Sequence, residues 1–328
     1  MELAEAGENV LLKRLRTKFG KITPGLLVGI GDDAAVVAAS SSPTLMTTDM
    51  MVEGVHFDLR WTTPFQVGYK LVSVNVSDIY AMGGRPAFLL LNFSALRSFT
   101  VRQFDDLFRG IAAASRRYGT HLIGGDISSS PTLMLSATVI GYASGKILRR
   151  SGARAGDYVH VTGTLGDSAC GLELLKKMKH PIPDKKVPVP GRELPVANSL
   201  PLLRRHVMPV AKKPDSFISR ATAMMDVSDG LVLDLSRLCS DSRVGARIYA
   251  EKLPLSRELI SAAAYLKKDP LDFALGGGED YELLFTSASK KIAGASCIGE
   301  ITKSGIRVVD HDGSQRKISG KGYQHFAY

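Results

Sequence analysis

The chain has 328 residues, 45% hydrophobic and 23% charged, with a formal net charge of +10. That is the composition of a globular protein with a sizeable core and about two domains, and it excludes a disordered or fibrous chain. No run of roughly 18 apolar residues is present to span a membrane. The acidic start Met1-Glu2-Leu3-Ala4-Glu5 lacks a secretory hydrophobic segment. Cys170, Cys239 and Cys297, far apart and odd in number, read as free thiols of a cytoplasmic protein.

In chain order, Leu11, Leu12, Leu15 and Phe19 recur at helical spacing and predict a helix over 10–19. Residues 44–50 read as a strand ending at Asp49. Phe65, Tyr69, Val72, Val76 and Ile79 form one stripe of a helix over 65–82, stopped by Gly83-Gly84-Arg85-Pro86. A buried strand follows over 87–93. Thr100-x-x-Gln103 is a capping box that opens a helix with Phe104, Leu107, Phe108 and Ile111 as its apolar face. Residues 133–142 form another strand. The second half restarts the theme: a strand over 157–162, a helix opened by Gly166-Asp167-Ser168, and a Pro-rich stretch over 181–214 read as irregular. Then Met224-Met225-Asp226-Val227 leads into a helix near Asp229. A strand over 246–249, a helix over 257–266 and a strand over 281–286 complete the pattern. Ser77-Asp78 and Ser228-Asp229 both sit at strand-to-helix junctions, which suggests two related α/β units with a boundary near 143–152.

Aspartates recur beside glycine or in turn-like contexts: Gly29-Ile30-Gly31-Asp32-Asp33, Thr47-Thr48-Asp49, Asn75-Val76-Ser77-Asp78, Gly124-Gly125-Asp126 and Asp226-Val227-Ser228-Asp229-Gly230. Any one is ordinarily a helix cap or a turn former. Together, in a basic chain, they suggest a collected anionic site. Such a site needs cations, and its hard oxygen ligands suit Mg²⁺, which usually also takes substrate phosphates. Paired glycines at Gly124-Gly125 let the backbone approach a phosphate. Arg149-Arg150 offers a cation to a transferred phosphate or a solvated surface pair. His56 is either structural or the one histidine near the acidic motifs, and Gly276-Gly277-Gly278-Glu279 is either a flexible turn or a loop that brings Glu279 to a ligand. No Walker A loop and no dinucleotide fingerprint is present. The largest basic cluster, Lys176-Lys177-Met178-Lys179 with Lys185-Lys186, has no aromatic interleaving and reads as a solvated face, so no nucleic-acid partner is expected.

The ordered set resembles the thiamine-monophosphate kinase family. The stretches that carry the resemblance are 29–34, 48–57, 75–83, Gly124-Gly125-Asp126, Arg150-Ser151-Gly152, 161–167, 226–230, 276–282 and Gly322-Tyr323-Gln324-His325-Phe326, in the family's order. Two positions depart from common forms: Thr47, where serine is frequent, keeps the hydroxyl, and Ile127 stands where threonine is common.

The resemblance implies ATP-dependent phosphorylation of thiamine monophosphate to thiamine diphosphate, within the two-domain α/β fold shared with aminoimidazole ribonucleotide synthetase. An N-terminal domain (1–148) would bind ATP and Mg²⁺ and pair into a homodimer across a β-barrel. A C-terminal α/β domain (149–328) would complete the active site. By motif matching, Asp33, Thr47, Thr48, Asp49, Asp78, Asp126, Asp226 and Asp229 look like ligands of several Mg²⁺ ions. Gly125, Asp126, Arg150 and Ser228 look like ATP contacts. His56, Glu279 and Tyr323 look like substrate contacts, and Asp49, Asp78, Asp126 and Arg150 would carry catalysis. The chemistry agrees. A phosphate monoester has a second pKa of ~6 and is mostly a dianion at pH 7. Such a nucleophile needs no general base, only cations that align it with the γ-phosphate. Selenophosphate synthetase, of the same fold, needs a reactive Cys near its N-terminus, and no Cys precedes position 170.

Overall fold

The structure is a computed structural model that describes residues 1–184, 196–317 and 322–323. It divides into two compact units. Unit 1 comprises 1–79, 84–144 and 180–187, and unit 2 comprises 80–83, 145–179 and 188–328.

Unit 1 opens with α1 (Leu3–Ala6) and α2 (Glu8–Phe19), followed by the two-stranded β1 (Leu26–Val28) and β2 (Val36–Val37). Its main sheet has the order β3-β6-β4-β5, with β3 Thr44–Val52, β4 Gly84–Ala95, β5 His121–Ser129 and β6 Met134–Ala143. Two helices, α3 (Pro64–Ala81) and α4 (Val101–Tyr118), lie in the connections of this sheet. The capping box at Thr100 and Gln103 is formed as expected, and Gly119 closes α4 in the left-handed conformation. Along β6 burial alternates strictly: Leu135, Ala137 and Val139 are in the core, while Ser136, Thr138 and Ile140 are only half-buried. The sheet is therefore two-faced. Phe93, Phe104 and Phe108 interlock on its inner side at centroid spacings of 4.5–6.2 Å.

In unit 2 the strands are β7 (Tyr158–Thr162), β8 (Ala223–Asp226), β9 (Gly245–Tyr249), β10 (Leu283–Ser287), β11 (Ala295–Thr302), β12 (Ile306–Val309) and β13 (Gln315–Lys317). They form one mixed sheet in the order β13-β12-β9-β11-β7-β10-β8. Its helices are α5 (Asp167–Met178), α6 (Leu200–Val207), α7 (Leu231–Ser242), α8 (Arg257–Leu266) and α9 (Pro270–Gly276). The main core of this unit packs Val159, Val161, Leu235, Leu238, Ile248 and Leu284. Cys170 and Cys239 lie in the interior, where burial pushes both thiols up to about 12, so neither is a nucleophile at neutral pH.

Several boundaries differ from expectation: Ser77-Asp78 lies inside the last turns of α3 and not at a strand-to-helix junction. β3 runs three residues past Asp49, which places that carboxylate inside the strand. Gly84-Arg85-Pro86 starts β4 instead of forming a loop. Gly124-Gly125-Asp126 lies within β5. The Pro-rich stretch contains α6, because Pro201 sits in the first turn, where its missing N–H costs nothing. Residues 185–195 of that stretch, with Lys185 and Lys186, and Gln324-His325-Phe326 lie outside the described residues. The last predicted strand begins at Leu283, two residues late, because Tyr281 has φ +51°.

Candidate active site

The acidic residues fall into three groups. The first lies where β3 meets α3. Thr47 donates its hydroxyl to Asp78 Oδ2 at 2.6 Å, and the Asp49 amide donates to Asn75 Oδ1 at 3.0 Å. Asn75 and Asp78 are three apart on α3 and so share one side of the helix. Thr48 does not join them. Strand alternation turns it to the opposite face, where it donates to the Ala137 carbonyl at 3.0 Å and accepts from Thr138 at 3.2 Å. Below β3, the His56 ring Nδ1 accepts from the Val52 amide at 3.1 Å, and the buried Lys70 donates to the His56 carbonyl at 3.2 Å. The histidine is thus held by both ring and backbone.

The second group lies along β5. Asp126 is exposed and, with Asp33, lines a cavity of about 710 Å³ whose apolar wall includes Leu15 and Phe93. Asp32 lines it too, and accepts from the Asp33 amide at 3.0 Å. Gly125 is required where it stands: it has φ +149°, and a Cβ there would sit 1.7 Å from the Leu91 carbonyl. Arg16, which the motifs did not single out, donates to the Gly31 carbonyl at 2.8 Å and pins the Asp32-Asp33 loop.

These two groups stand apart. Register pairs Asp49 with Ala137, Ala137 with Leu91, and Leu91 with Gly125. Asp126, one residue on, therefore points to the other face, from the opposite edge of the sheet. Three strand spacings separate β3 from β5, on the order of 14 Å.

The third group belongs to unit 2, and here the sequence expectations converge. Asp226 ends β8, buried, and the loop after it meets two other segments. The Glu279 amide donates to the Ser228 carbonyl at 2.7 Å, and the Tyr323 amide donates to the Asp229 carbonyl at 3.0 Å. Glu279, at φ +65°, has its carboxylate 3.1 Å from His206 Nδ1, and His206 in turn lies 3.2 Å from Ser168 Oγ. The left-handed turn is anchored by buried carboxylates. Asp280 accepts from the Gly166 and Ser168 amides at 2.5 and 3.0 Å. Glu282 takes Thr162 at 2.5 Å, with Arg205 and Lys212 as its cations. Arg150 is exposed, and its carbonyl is tied to Ser242 at 2.9 Å.

Sequence reasoning missed His206, Asn75, Lys70 and the pair Asp234 and Arg237. Asn75, inside the Asn75-Val76-Ser77-Asp78 motif, and Asp234, four residues after Gly230, carried a signal.

Among the described residues no three His, Cys, Asp or Glu side chains come together as a metal cage. The donor set is oxygen-only and arranged in ones and twos. That fits Mg²⁺ carried on a polyphosphate, which takes one or two carboxylates from the protein and the rest of its shell from phosphate and water.

Comparison with known proteins places this arrangement. The chain matches the AIR synthase related N-terminal domain over residues 31–143 and the AIR synthase related C-terminal domain over 154–311. It is therefore a two-domain α/β protein of that class. It is 37% identical to the thiamine-monophosphate kinase of Aquifex aeolicus over 99% of this chain and 100% of that one. It is 34% identical to the Mycobacterium tuberculosis enzyme of that name over 94% of this chain and 88% of the other. A solved structure described as AaThiL complexed with AMPPCP and TMP superimposes with a TM-score of 0.76 at 36% identity, covering 99% of each chain. The chain belongs to the thiamine-monophosphate kinase family.

Proposed function

We propose that this chain transfers the γ-phosphoryl group of ATP to thiamine monophosphate, giving thiamine diphosphate and ADP. The observation that carries the reading is the junction in unit 2. The Ser228-Asp229 loop is bonded directly to Glu279 and to Tyr323, so groups suited to a nucleotide and its cation adjoin groups suited to the second substrate. Family membership over the full chain supports the same reading.

In this reading residues 1–148 form the domain that binds ATP and Mg²⁺ and dimerises, and residues 149–328 complete the site. Asp33, Thr47, Asp49, Asp78, Asp126, Asp226 and Asp229 hold Mg²⁺, directly or through water. Thr48 is assigned a supporting part only, since its hydroxyl is committed to the sheet's other face. Gly125 lets the backbone approach the nucleotide, Ser228 contacts it, and the exposed Arg150 meets its phosphates. His56, Glu279 and Tyr323 bind thiamine monophosphate. The bound Mg²⁺ supplies charge neutralisation between two polyanions. The protein's part is to bring the substrate phosphate dianion into line with the γ-phosphorus and to exclude water, with no general base and no phosphoenzyme. The chain acts as a cytoplasmic homodimer. No described helix is long and apolar enough to cross a membrane.

The test is phosphoryl transfer with purified protein, Mg²⁺, ATP and thiamine monophosphate, with thiamine and aminoimidazole-pathway substrates in parallel. Thiamine diphosphate and ADP formed one for one, and only from the monophosphate, is the expected result. Folded protein that binds ATP without forming thiamine diphosphate would move the function to another substrate. Retained configuration at a chiral γ-phosphorus would overturn direct transfer.

A further inference from the structure

The Asp226–Gly230 loop is held from outside itself. Asp234, on the first turn of α7 and fully buried, accepts three consecutive amides on a single oxygen: Ser228, Asp229 and Gly230 donate to Oδ2 at 3.0, 3.0 and 3.1 Å. Arg237, a turn further along, donates from Nη1 to the other oxygen of Asp234 at 2.8 Å and to Asp229 Oδ2 at 2.5 Å. Successive amides converging on one point form a nest that binds anions, and the positive end of a helix beside it adds to the attraction. A phosphate is the usual occupant of such a place. Here the occupant is the chain's own carboxylate.

Two consequences follow for a polyanionic substrate. The amides of the loop are already committed, so they have nothing to offer a phosphate oxygen. A phosphate brought close would also meet the negative charges of Asp226, Asp229 and Asp234, with the cation of Arg237 already shared between Asp229 and Asp234. Attraction then needs a divalent ion between phosphate and carboxylate. Arg237 meanwhile fixes the torsion of Asp229 by holding one of its two oxygens.

We infer that Asp234 and Arg237 are positioning residues of the phosphoryl-transfer site. Asp234 fills the amide nest so that ATP reaches this loop only through a divalent cation, and Arg237 sets the rotamer of Asp229 that receives the cation. The inference rests on the kinase reading above. Neither residue touches the reacting atoms; each acts through the loop.

The test compares Asp234→Asn and Arg237→Lys with the unaltered protein. Asparagine has the same shape but one acceptor oxygen. If that oxygen faces the nest, its amide N–H groups face the Arg237 donor, so one of the two connections is lost. Half-saturating Mg·ATP and the KM for thiamine monophosphate are measured. Calorimetric binding of a non-hydrolysable ATP analogue, with Mg²⁺ and with chelator, gives a readout independent of turnover. The expected result is that Asp234→Asn weakens both Mg·ATP saturation and analogue binding roughly tenfold or more, the range seen when the outer partner of a metal ligand is removed. The KM for thiamine monophosphate should change less than Mg·ATP saturation, since Glu279 and Tyr323 meet the loop through the Ser228 and Asp229 carbonyls and not through the amides that Asp234 holds. Arg237→Lys, on a partly exposed residue, should show the same split more weakly. A purely structural role would lower thermal stability and leave both constants in place. Equal analogue binding with Mg²⁺ and with chelator in the unaltered protein would overturn the inference, as would unchanged Mg·ATP dependence in both variants. Should Asp234→Asn fail to fold, Arg237→Lys decides. If the unaltered protein forms no thiamine diphosphate, the kinase reading fails by itself, and the calorimetry still tests the loop.

Discussion

Asp49 illustrates how the backbone around one side chain is fixed from two sides. Its amide donates to Asn75, and the paired strand residues on β6 hold its backbone in place. The carboxylate is half-buried beside the Thr47–Asp78 pair. Asp49→Asn is therefore expected to leave circular dichroism and thermal unfolding nearly unchanged while removing thiamine diphosphate formation by at least about a hundredfold, the scale for loss of a group that neutralises transition-state charge. Turnover that survives the change would remove Asp49 from the site. Asp280 makes the opposite case, a carboxyl used for architecture. Burial pushes it up to about 7, against the bonds it accepts from Gly166 and Ser168 and the charge of Arg205. Its folded value lies above the ordinary 3.8, so its contribution to stability is fully present below about pH 4 and is lost as pH rises through about 7. Asp280→Asn has no such dependence. Unfolding midpoints of the two proteins, taken in steps from pH 4 to pH 8, should show the unaltered protein losing ground to the variant across that window and not beyond it. Parallel curves would show that Asp280 does not titrate there.

At the level of elements, periodicity and caps were legible where a helix carries its own signals. The box at Thr100 and Gln103 and the stripe through Phe104, Leu107 and Ile111 gave α4 directly. The helix over 257–266 is found with the same bounds. Legibility failed where backbone contacts between distant segments decide the conformation. Gly124-Gly125-Asp126 has the composition of a turn, yet β4 and β5 pair through it with a register shift between Leu89 and Leu90. The glycines serve close approach of strands rather than a reversal of the chain. The same limit applies to the site. Motif matching placed Thr47, Thr48 and Asp49 together, and only the sheet's alternation shows that Thr48 faces away. It could not show that Glu279 and Tyr323 both bond to one loop, because those contacts join residues about fifty and ninety positions apart. Gly125→Ala tests the strand argument. A methyl group at 1.7 Å from the Leu91 carbonyl must displace β5, at a cost of about 3 kcal/mol. Denaturant unfolding should show that loss, with weakened ATP binding from the shifted Asp126. A variant as stable as the unaltered protein would mean that β5 passes Leu91 less closely.

For the whole molecule, the division of the carboxylates argues for a second copy. Asp49 and Asp78 gather beside β3, Asp33 and Asp126 beside β5, and these are the two edge strands of one sheet. No ion on a single unit 1 reaches both, given a separation on the order of 14 Å and opposite faces. An edge strand also has backbone groups open to pairing with another chain. The side of β3 that faces away from the core carries Met46 and Met50, 72% and 52% exposed, and thioether side chains are unusual on a surface meant for water. A homodimer formed through this sheet would cover both methionines and set the β3 group of one chain near the β5 group of the other. The double change Met46→Glu, Met50→Glu places charges on that face without touching any residue assigned to the site. It is expected to convert a dimer into a folded monomer in sedimentation velocity at micromolar concentration. Thiamine diphosphate formation should fall in step with the dimer fraction, and raising the protein concentration should recover both together. Full activity in a monomeric variant would mean that one chain holds a complete site. The β5 carboxylates would then have to act on the nucleotide independently of Asp49 and Asp78.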